Sequence, residues 1–192
     1  MIEITSTSDA STPINIINIE KARDIPSGAS VQLSTLINGN VVPQAVPLSA
    51  AASGVRSVCK QGTVLTGSTT TVIKIATGAH NFKVGDFIGI EEGGIAYAIT
   101  SIIETTGVDA ITVGTAIGTP VTNEWIYEMA AEAAATTSAF LNVPVCISGK
   151  AFTVDTSKVM EAIPAYVGAS VVGGVIGTAY LAYMNNIDEI SY

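Results

Sequence analysis

The residue types that most often carry out chemistry are scarce in this chain. It contains one histidine, His80, and two cysteines, Cys59 and Cys146. A general base or a zinc site needs a histidine held by fixed partners, whereas His80 lies in a turn and is expected to bond the local backbone. Both cysteines stand in apolar, β-like runs, which predicts two small buried side chains. The sequence leaves open whether they pair.

Four carboxylates, Asp86, Glu91, Glu92 and Asp109, are the candidate oxygen ligands for a calcium ion. Glu91 and Glu92 are neighbours, and neighbouring residues of a strand point to opposite faces, so the two do not readily bind one ion. Asp86 follows a glycine and is expected to cap a turn. The sequence contains no phosphate-binding loop, serine-hydrolase or zinc-protease motif. It therefore predicts neither an enzyme nor a cofactor or metal site.

Three aromatic residues, Tyr97, Trp125 and Tyr127, are the candidate binding residues. Aromatic rings on a surface anchor protein interfaces or stack on sugars. Trp125 is the only tryptophan, and it stands beside Ile126 and Tyr127. This apolar setting favours a core or interface anchor over a sugar-stacking platform.

The composition is apolar and poor in charge. Of 192 residues, 48% are hydrophobic and 12% are charged, with a net charge of −8, whereas a typical soluble domain has about 25% charged residues. Such a chain is expected to bury much of its surface against partners; a monomer with a Ser/Thr/Asn-rich surface is the alternative. The negative charge and the lack of a basic cluster argue against nucleic-acid binding.

The elements that must position these residues are predicted to be mainly β. Residues 56–130 read as a body of short strands separated by glycine turns, which is typical of a small β-barrel or sandwich. The candidate strands are Ser57–Thr66, Thr70–Ala76, Phe87–Glu91, Ile95–Ile103, Ala110–Thr115 and Trp125–Met129.

Residues 1–55 are predicted to form an extended N-terminal arm. Within it, the runs Ala29–Leu36 and Asn40–Leu48 flank Asn38-Gly39, a pair that favours a type I′ hairpin. The small, flexible run Ser49–Gly54 is the expected boundary with the body.

Residues 131–192 are predicted to pack on the body or on an oligomer axis. The run Glu128–Ser138 favours a helix, or a linker that drapes over one end of the body. Ala139–Ser148 and Ala151–Asp155 read as a strand pair, and Ser157–Ile163 as a helical turn before a proline.

The run Ala165–Met184 is Gly-rich, apolar and free of charge. It is long enough to span a bilayer, and Gly173 and Gly177 have the G-x-x-x-G spacing of packed membrane helices. Interrupting glycines and the absence of flanking Lys or Arg favour two strands, Ala165–Val172 and Val175–Tyr183, or a buried helix. A membrane-inserted protein is the less favoured interpretation.

Four runs resemble the head fibre and capsid decoration proteins of tailed bacteriophages, including those of crAss-like phages. These runs are His80–Asp86, Ala98–Ile102, Asp109–Gly118 and Ile126–Glu128. The resemblance covers residues 58–128 and is fainter at 144–149 and 162–168, while the Gly-rich run 165–184 departs from it.

The resemblance implies a non-catalytic protein on the capsid surface of a virion. Its partners would be the major capsid protein, bound through the N-terminal part, and other copies of the chain, often as a trimer. Under that hypothesis residues 1–55 attach to the particle and residues 56–192 form the exposed body. A host-receptor or glycan-binding module on the same particle, using Tyr97, Trp125 or Tyr127, is the alternative.

Overall fold

The computed structural model describes residues 17–18, 23–26, 28–50, 54–167, 170–171 and 176–185. This described part is mainly β, as predicted, with short strands and a single α-helix. The strands are β1 (Ile17–Asn18), β2 (Arg23–Asp24), β3 (Ala29–Gln32), β4 (Val41–Val42), β5 (Pro47–Ser49), β6 (Val55–Arg56), β7 (Gln61–Thr63), β8 (Val72–Ala76), β9 (Phe87–Gly89), β10 (Ala96–Thr105), β11 (Val108–Val113), β12 (Trp125–Met129), β13 (Pro144–Ser148), β14 (Phe152–Thr153), β15 (Met160–Ile163), β16 (Ala165–Val167) and β17 (Ser170–Val171), and the helix is α1 (Thr178–Asn185).

Six strands of the central segment form one antiparallel sheet in the order β7-β12-β9-β10-β11-β8. Alternate residues point inward, as Ile73 and Ile75 of β8 do. Leu65, two residues beyond β7, donates its N–H to Lys74 O of β8 (2.8 Å), so the sheet curls until its two edge strands come together. Because β7 and β8 form no ladder among the described residues, the sheet is not a closed barrel.

The predicted strands of the central segment are largely confirmed. Those assigned to β8 through β12 have bounds within two residues of the observed ones. The first, predicted as Ser57–Thr66, is shorter: its ladder with β12 covers only Gln61–Thr63, and Val58 forms a separate bridge with Leu48.

Strands that precede the central sheet along the chain pair with strands that follow it. The antiparallel pairs are β2 with β16, β3 with β15, β4 with β14, and β5 with β13. They enclose a core of their own, which contains Leu33, Leu48 and Phe152. Residues 28–50, which the sequence assigned to an extended arm, are thus strands and turns of the fold, whereas residues 1–16 and 19–22 lie outside the described part.

Strand β12 separates two cores. Ile126 belongs to the core of the curled sheet, whereas Tyr127 and Met129 belong to a second core that contains Phe140 and Tyr180. Because successive side chains of a strand point to opposite faces, β12 is buried on both sides. This strand therefore contacts the core of the curled sheet on one face and the helix on the other.

Helix α1 replaces the strand predicted at Val175–Tyr183. Ile176, Tyr180 and Met184 are all buried, and their spacing of four residues places them on one face of a helix. This pattern indicates a helix in the sequence too, although the neighbouring glycines and β-branched residues obscure it. No helix among the described residues is long and apolar enough to cross a membrane; residues 168–169 and 172–175 of the apolar run lie outside them.

The helix predicted at Glu128–Ser138 does not form. Ala130 N donates to Ala139 O (2.8 Å), and Ala133 exchanges two backbone hydrogen bonds with Ala96 of β10 (2.9 Å each). These partners occupy the backbone groups that a helix would use, so tertiary pairing overrides helix propensity. The segment is instead a linker bridged to the start of β10.

The predicted hairpin around Asn38-Gly39 is wrong. Gly39 has the expected positive φ (83°), but the strands on either side of it do not pair with each other. β3 pairs with β15 and β6, and β4 pairs with β14. The turn therefore connects two different sheets.

The helical turn predicted at Ser157–Ile163 is also wrong. Met160–Ile163 is strand β15, paired along its length with β3. Ile163 precedes Pro164, and a residue before proline is disfavoured in the helical conformation and favoured in an extended one.

Candidate functional site

An open cleft of about 440 Å³ lies beside the curled sheet, and Trp125 of β12 stands in its wall. Its apolar surface includes Val41 of β4, Val46 between β4 and β5, and Leu65 just beyond β7. Val41 is 53% exposed at this site. A cleft of this size and character accommodates a partner's side chain or a small ring system.

The buried polar residues that line the cleft are engaged inside the protein. Asn81 accepts a hydrogen bond from Ile37 N (3.3 Å), and the Lys60 ammonium contacts two carboxylates. Both ring nitrogens of His80 also have partners. The cleft therefore offers mainly shape and apolar contact rather than a set of converging charges.

The predicted binding residues are not brought together. Trp125 is partly exposed and packs against the core around Tyr127, whereas Tyr97 of β10 packs against the core of the curled sheet. The two rings thus belong to different faces of the sheet and do not form one platform. Trp125 stays the candidate contact residue, because it alone of the three lines the cleft.

The expectation that Tyr127 is exposed is wrong. Its side chain is 1% exposed, and its ring packs edge-on against Tyr180 of α1 at a centroid distance of 4.7 Å. Its hydroxyl oxygen accepts a hydrogen bond from Ala179 N (3.1 Å). Tyr127 therefore holds the helix on the sheet and is not available to a partner.

His80 does bond the local backbone, as predicted. Its Nδ1 accepts a hydrogen bond from Phe82 N (3.1 Å). Its Nε2 also lies 3.2 Å from Asp109 Oδ2 on β11, and Thr77 Oγ1 donates to Asp109 Oδ1 (2.8 Å). Burial lowers the pKa of His80 from 6.5, while the Asp109 charge opposes that shift. With both nitrogens engaged, the ring ties the turn to the sheet and has no free nitrogen to act as a base.

A buried ionic cluster lies where three neighbouring strands, β7, β12 and β9, come together. Lys60 immediately precedes β7, Glu128 lies in β12, and Asp86 immediately precedes β9. Lys60 Nζ is 2.6 Å from Asp86 Oδ2 and 2.7 Å from Glu128 Oε1. The side chains of Lys60 and Glu128 are 3% and 4% exposed, and that of Asp86 is 20% exposed.

Further hydrogen bonds orient both carboxylates of this cluster. Asp86 Oδ2 accepts from Lys83 N (2.7 Å), which also confirms that Asp86 caps its turn. Glu128 Oε2 accepts from Asn142 Nδ2 (3.2 Å). Burial raises the pKa of the Glu128 carboxyl, and the Lys60 charge only partly offsets the shift. The Glu128 carboxyl therefore holds a proton more readily than an exposed glutamate does.

Sequence reasoning missed this cluster. Its three members are separated by 26 and 42 residues along the chain, and no local motif connects them. One signal was present: Lys60 follows Val58-Cys59, and Glu128 stands within Trp125–Met129, so each is a lone charge beside or within an apolar strand. A lone charge in such a run is expected to have a buried partner.

The four carboxylates considered as calcium ligands do not converge. Asp86 contacts Lys60, Asp109 contacts His80, and Glu92 accepts a short hydrogen bond from Tyr183 Oη. Within the part of the chain that the structure describes, no three His, Cys, Asp or Glu side chains are grouped so as to hold a metal ion.

Both cysteines are buried and unpaired, so the predicted burial is confirmed. Cys59 belongs to the core around Tyr127, and Cys146 belongs to the core around Leu48. Each cysteine therefore packs as a small apolar side chain in a different core.

Comparison with known protein families, with curated proteins and with solved structures gives no match in any of the three. The function must therefore be argued from the chain's own residues and geometry.

Proposed function

We propose that this protein is a non-catalytic structural subunit of a bacteriophage virion, a head fibre or capsid decoration protein. It would bind the major capsid protein on the capsid surface and associate with copies of itself, as a trimer. The resemblance of residues 58–128 to such proteins suggests the class, and the physical character of the folded chain supports it.

The observation on which this proposal mainly rests is that some of the few charged side chains are buried inside the fold. The chain has only 24 charged residues, 8 basic and 16 acidic. Three of them, Lys60, Asp109 and Glu128, are at most 4% exposed. The surface is thus even poorer in charge than the composition implies, and a surface of this kind favours burial against neighbouring subunits.

Exposed apolar side chains support the same proposal. Large hydrophobic side chains that are 39% to 75% exposed occur on several separate loops and strands. They are Val41, Val84, Ile103, Val121, Leu141, Val143, Val159 and Met160. Single exposed apolar residues are ordinary, but together with so few charges they fit a subunit that is covered on more than one side.

The absence of free reactive groups in the described cleft favours a non-catalytic role. A hydrolase would need a nucleophile beside a base with an available lone pair. Two ionisable groups at the cleft, Lys60 and His80, are engaged with Asp86, Glu128 and Asp109. A third, the thiol of Cys59, is fully buried, and burial raises its pKa well above the ordinary value.

Size-exclusion chromatography with light scattering tests the self-association directly. The full chain in plain buffer is expected to elute as one defined oligomer whose mass is a multiple of 19.6 kDa. A stable monomer across the accessible concentration range contradicts the proposal.

Attachment to the capsid needs a separate experiment. Because residues 29–49 are built into the fold, a truncation must stop before β1, so the matched pair is the full chain and a chain that lacks residues 1–16. Capsids of the same phage prepared without the protein should retain the full chain in co-sedimentation and lose the truncated one. Equal retention of the two chains contradicts attachment through the N-terminal part.

The cleft beside Trp125 favours a second candidate, a glycan- or receptor-binding module. A partly exposed indole in an apolar cleft is a surface on which a sugar ring stacks. Glycan-array binding that is lost in Trp125→Ala would support this candidate, and silence on the array would remove it.

A further inference from the structure

The cluster of Lys60, Asp86 and Glu128 places an amine against two carboxyl groups in a desolvated site. Lys60 Nζ contacts both carboxylates at 2.6 and 2.7 Å, and its side chain is only 3% exposed. One cation facing two carboxylates leaves the cluster with an excess negative charge, and burying charges costs several kcal/mol per ion. A reaction that removes two of these charges would relieve that cost.

We propose that Lys60 and Asp86 form an intramolecular amide (isopeptide) bond, with Glu128 as the proton shuttle. The net reaction converts a lysine ammonium and an aspartate carboxylate into a neutral amide and one water molecule. It needs no oxidant, reductant or cofactor. The inference is independent of the virion proposal, since it rests only on the geometry of these three side chains.

The proton transfers balance within the cluster. Glu128 takes a proton from the Lys60 ammonium, which leaves a neutral amine, and passes that proton to the Asp86 carboxylate. The amine attacks Asp86 Cγ, and a carbon–nitrogen bond forms as the carbonyl opens. Glu128 then takes a second proton from the attacking nitrogen and gives it to the departing oxygen, which leaves as water, so Glu128 ends as it began.

The surroundings distinguish the roles of the two carboxyl groups. Lys83 N donates to Asp86 Oδ2 at 2.7 Å, where a backbone donor stabilises the negative oxygen that develops during attack on Cγ. Among the described residues no backbone N–H donates to the Glu128 carboxylate, whose Oε2 accepts a hydrogen bond from the Asn142 amide. Its raised pKa suits a group that takes up and returns a proton. Asp86 is therefore the acceptor and Glu128 the shuttle.

The fold supplies the other requirements of the reaction. The order β7-β12-β9 places Glu128 on the middle strand, with Lys60 and Asp86 at the starts of the strands on either side. Glu128 N donates to Lys60 O (3.1 Å), which fixes the register between these two residues. Reacting groups held in this way have effective concentrations far above those in solution. Exclusion of water also opposes hydrolysis of the product.

Intact mass spectrometry of the full chain tests the proposal. The wild-type protein is expected to be lighter than its sequence by the mass of one water, whereas Glu128→Gln and Asp86→Ala should have their full sequence masses. The matched control is Glu161→Gln, because Glu161 pairs with Lys150 at 3.8 Å in an exposed setting; this variant should still lose the water. A folded wild-type protein of full sequence mass overturns the proposal.

A tryptic digest of the wild-type protein tests for the amide between Lys60 and Asp86 even if the variants fail to fold. An amide on Lys60 blocks cleavage there, so peptide 57–74 should appear joined to peptide 84–150, with fragmentation locating the link at Asp86. Loss of water with normal cleavage after Lys60 would indicate a succinimide instead and contradict the link. A link located at Glu128 would contradict the assignment of roles.

Discussion

Gly177 lies directly against the phenol of Tyr127, so closely that a Cβ on residue 177 would stand 2.5 Å from Tyr127 Oη. The same glycine donates its N–H to Gln61 Oε1 (2.8 Å). The start of α1 is thus seated on β12 and β7 by contacts that only a residue without a side chain permits. Of the two glycines in the G-x-x-x-G spacing, Gly177 has this packing role, and Gly173 lies outside the described residues.

Gly177→Ala is expected to destabilise the protein by about 1–3 kcal/mol, because the added methyl overpacks the contact with Tyr127. Urea unfolding followed by circular dichroism measures the change. The matched control is Gly114→Ala, where an added Cβ meets only Thr100 Cγ2 at 3.6 Å. Equal midpoints for the two variants would show that α1 does not dock as described.

The two thiols are expected to resist modification in the folded protein. Burial raises the pKa of Cys146 to about 11 and raises that of Cys59 well above its ordinary value, so at pH 8 neither is appreciably present as the reactive thiolate. A chromogenic disulfide reagent should give almost no reaction in buffer and two thiols per chain in urea. Rapid labelling of one thiol in the native state would contradict this burial.

The imidazole of His80 is expected to titrate below its ordinary pKa of 6.5. A histidine whose pKa is lowered by folding binds fewer protons when folded than when unfolded. Its contribution to the free energy of unfolding is therefore fully present above pH 6.5 and is lost as the pH falls below that value. Because the chain has one histidine, an untagged protein gives a single imidazole signal in an NMR titration.

The variant Asp109→Asn tests whether Asp109 faces the His80 ring, through the direction in which the pKa of His80 changes. The Asp109 carboxylate favours the protonated ring, so removing its charge should lower the pKa of His80 further. A variant whose imidazole titrates higher than that of the wild type would show that Asp109 does not face the ring.

Trp125→Ala is expected to weaken self-association by about tenfold or more, since a buried aromatic anchor commonly contributes at least that much to an interface. Sedimentation velocity over a concentration series measures the effect. Thr115→Ala is the control, because Thr115 is an exposed polar residue and is not among the residues that line the cleft. If both variants associate as the wild type does, the cleft beside Trp125 is not part of the interface.

Local sequence signals predicted the central sheet well. Alternating apolar residues and glycine turns place β8 through β12 within two residues of their observed bounds. Short antiparallel strands joined by tight turns are specified mostly by neighbouring residues. The same signals failed at Glu128–Ser138 and Ser157–Ile163, where partners distant in sequence decide the backbone conformation.

The candidate sites were less predictable than the fold. Trp125 was identified from the sequence and does line a cleft, whereas Tyr127, two residues later, points into the core beneath α1. A period of two places these residues on the same face of a strand, and it does not reveal that a helix covers one end of that face.

The amino-acid sequence by itself determined the mainly β class, the turns of the central sheet, the scarcity of charge and the burial of both cysteines. These properties follow from composition and short-range periodicity. Only the tertiary structure decided that strands of residues 29–49 pair with strands of residues 144–163, and that Lys60, Asp86 and Glu128 meet in one buried cluster. Contacts between residues so far apart along the chain depend on sheet order and register, which no short stretch of sequence encodes.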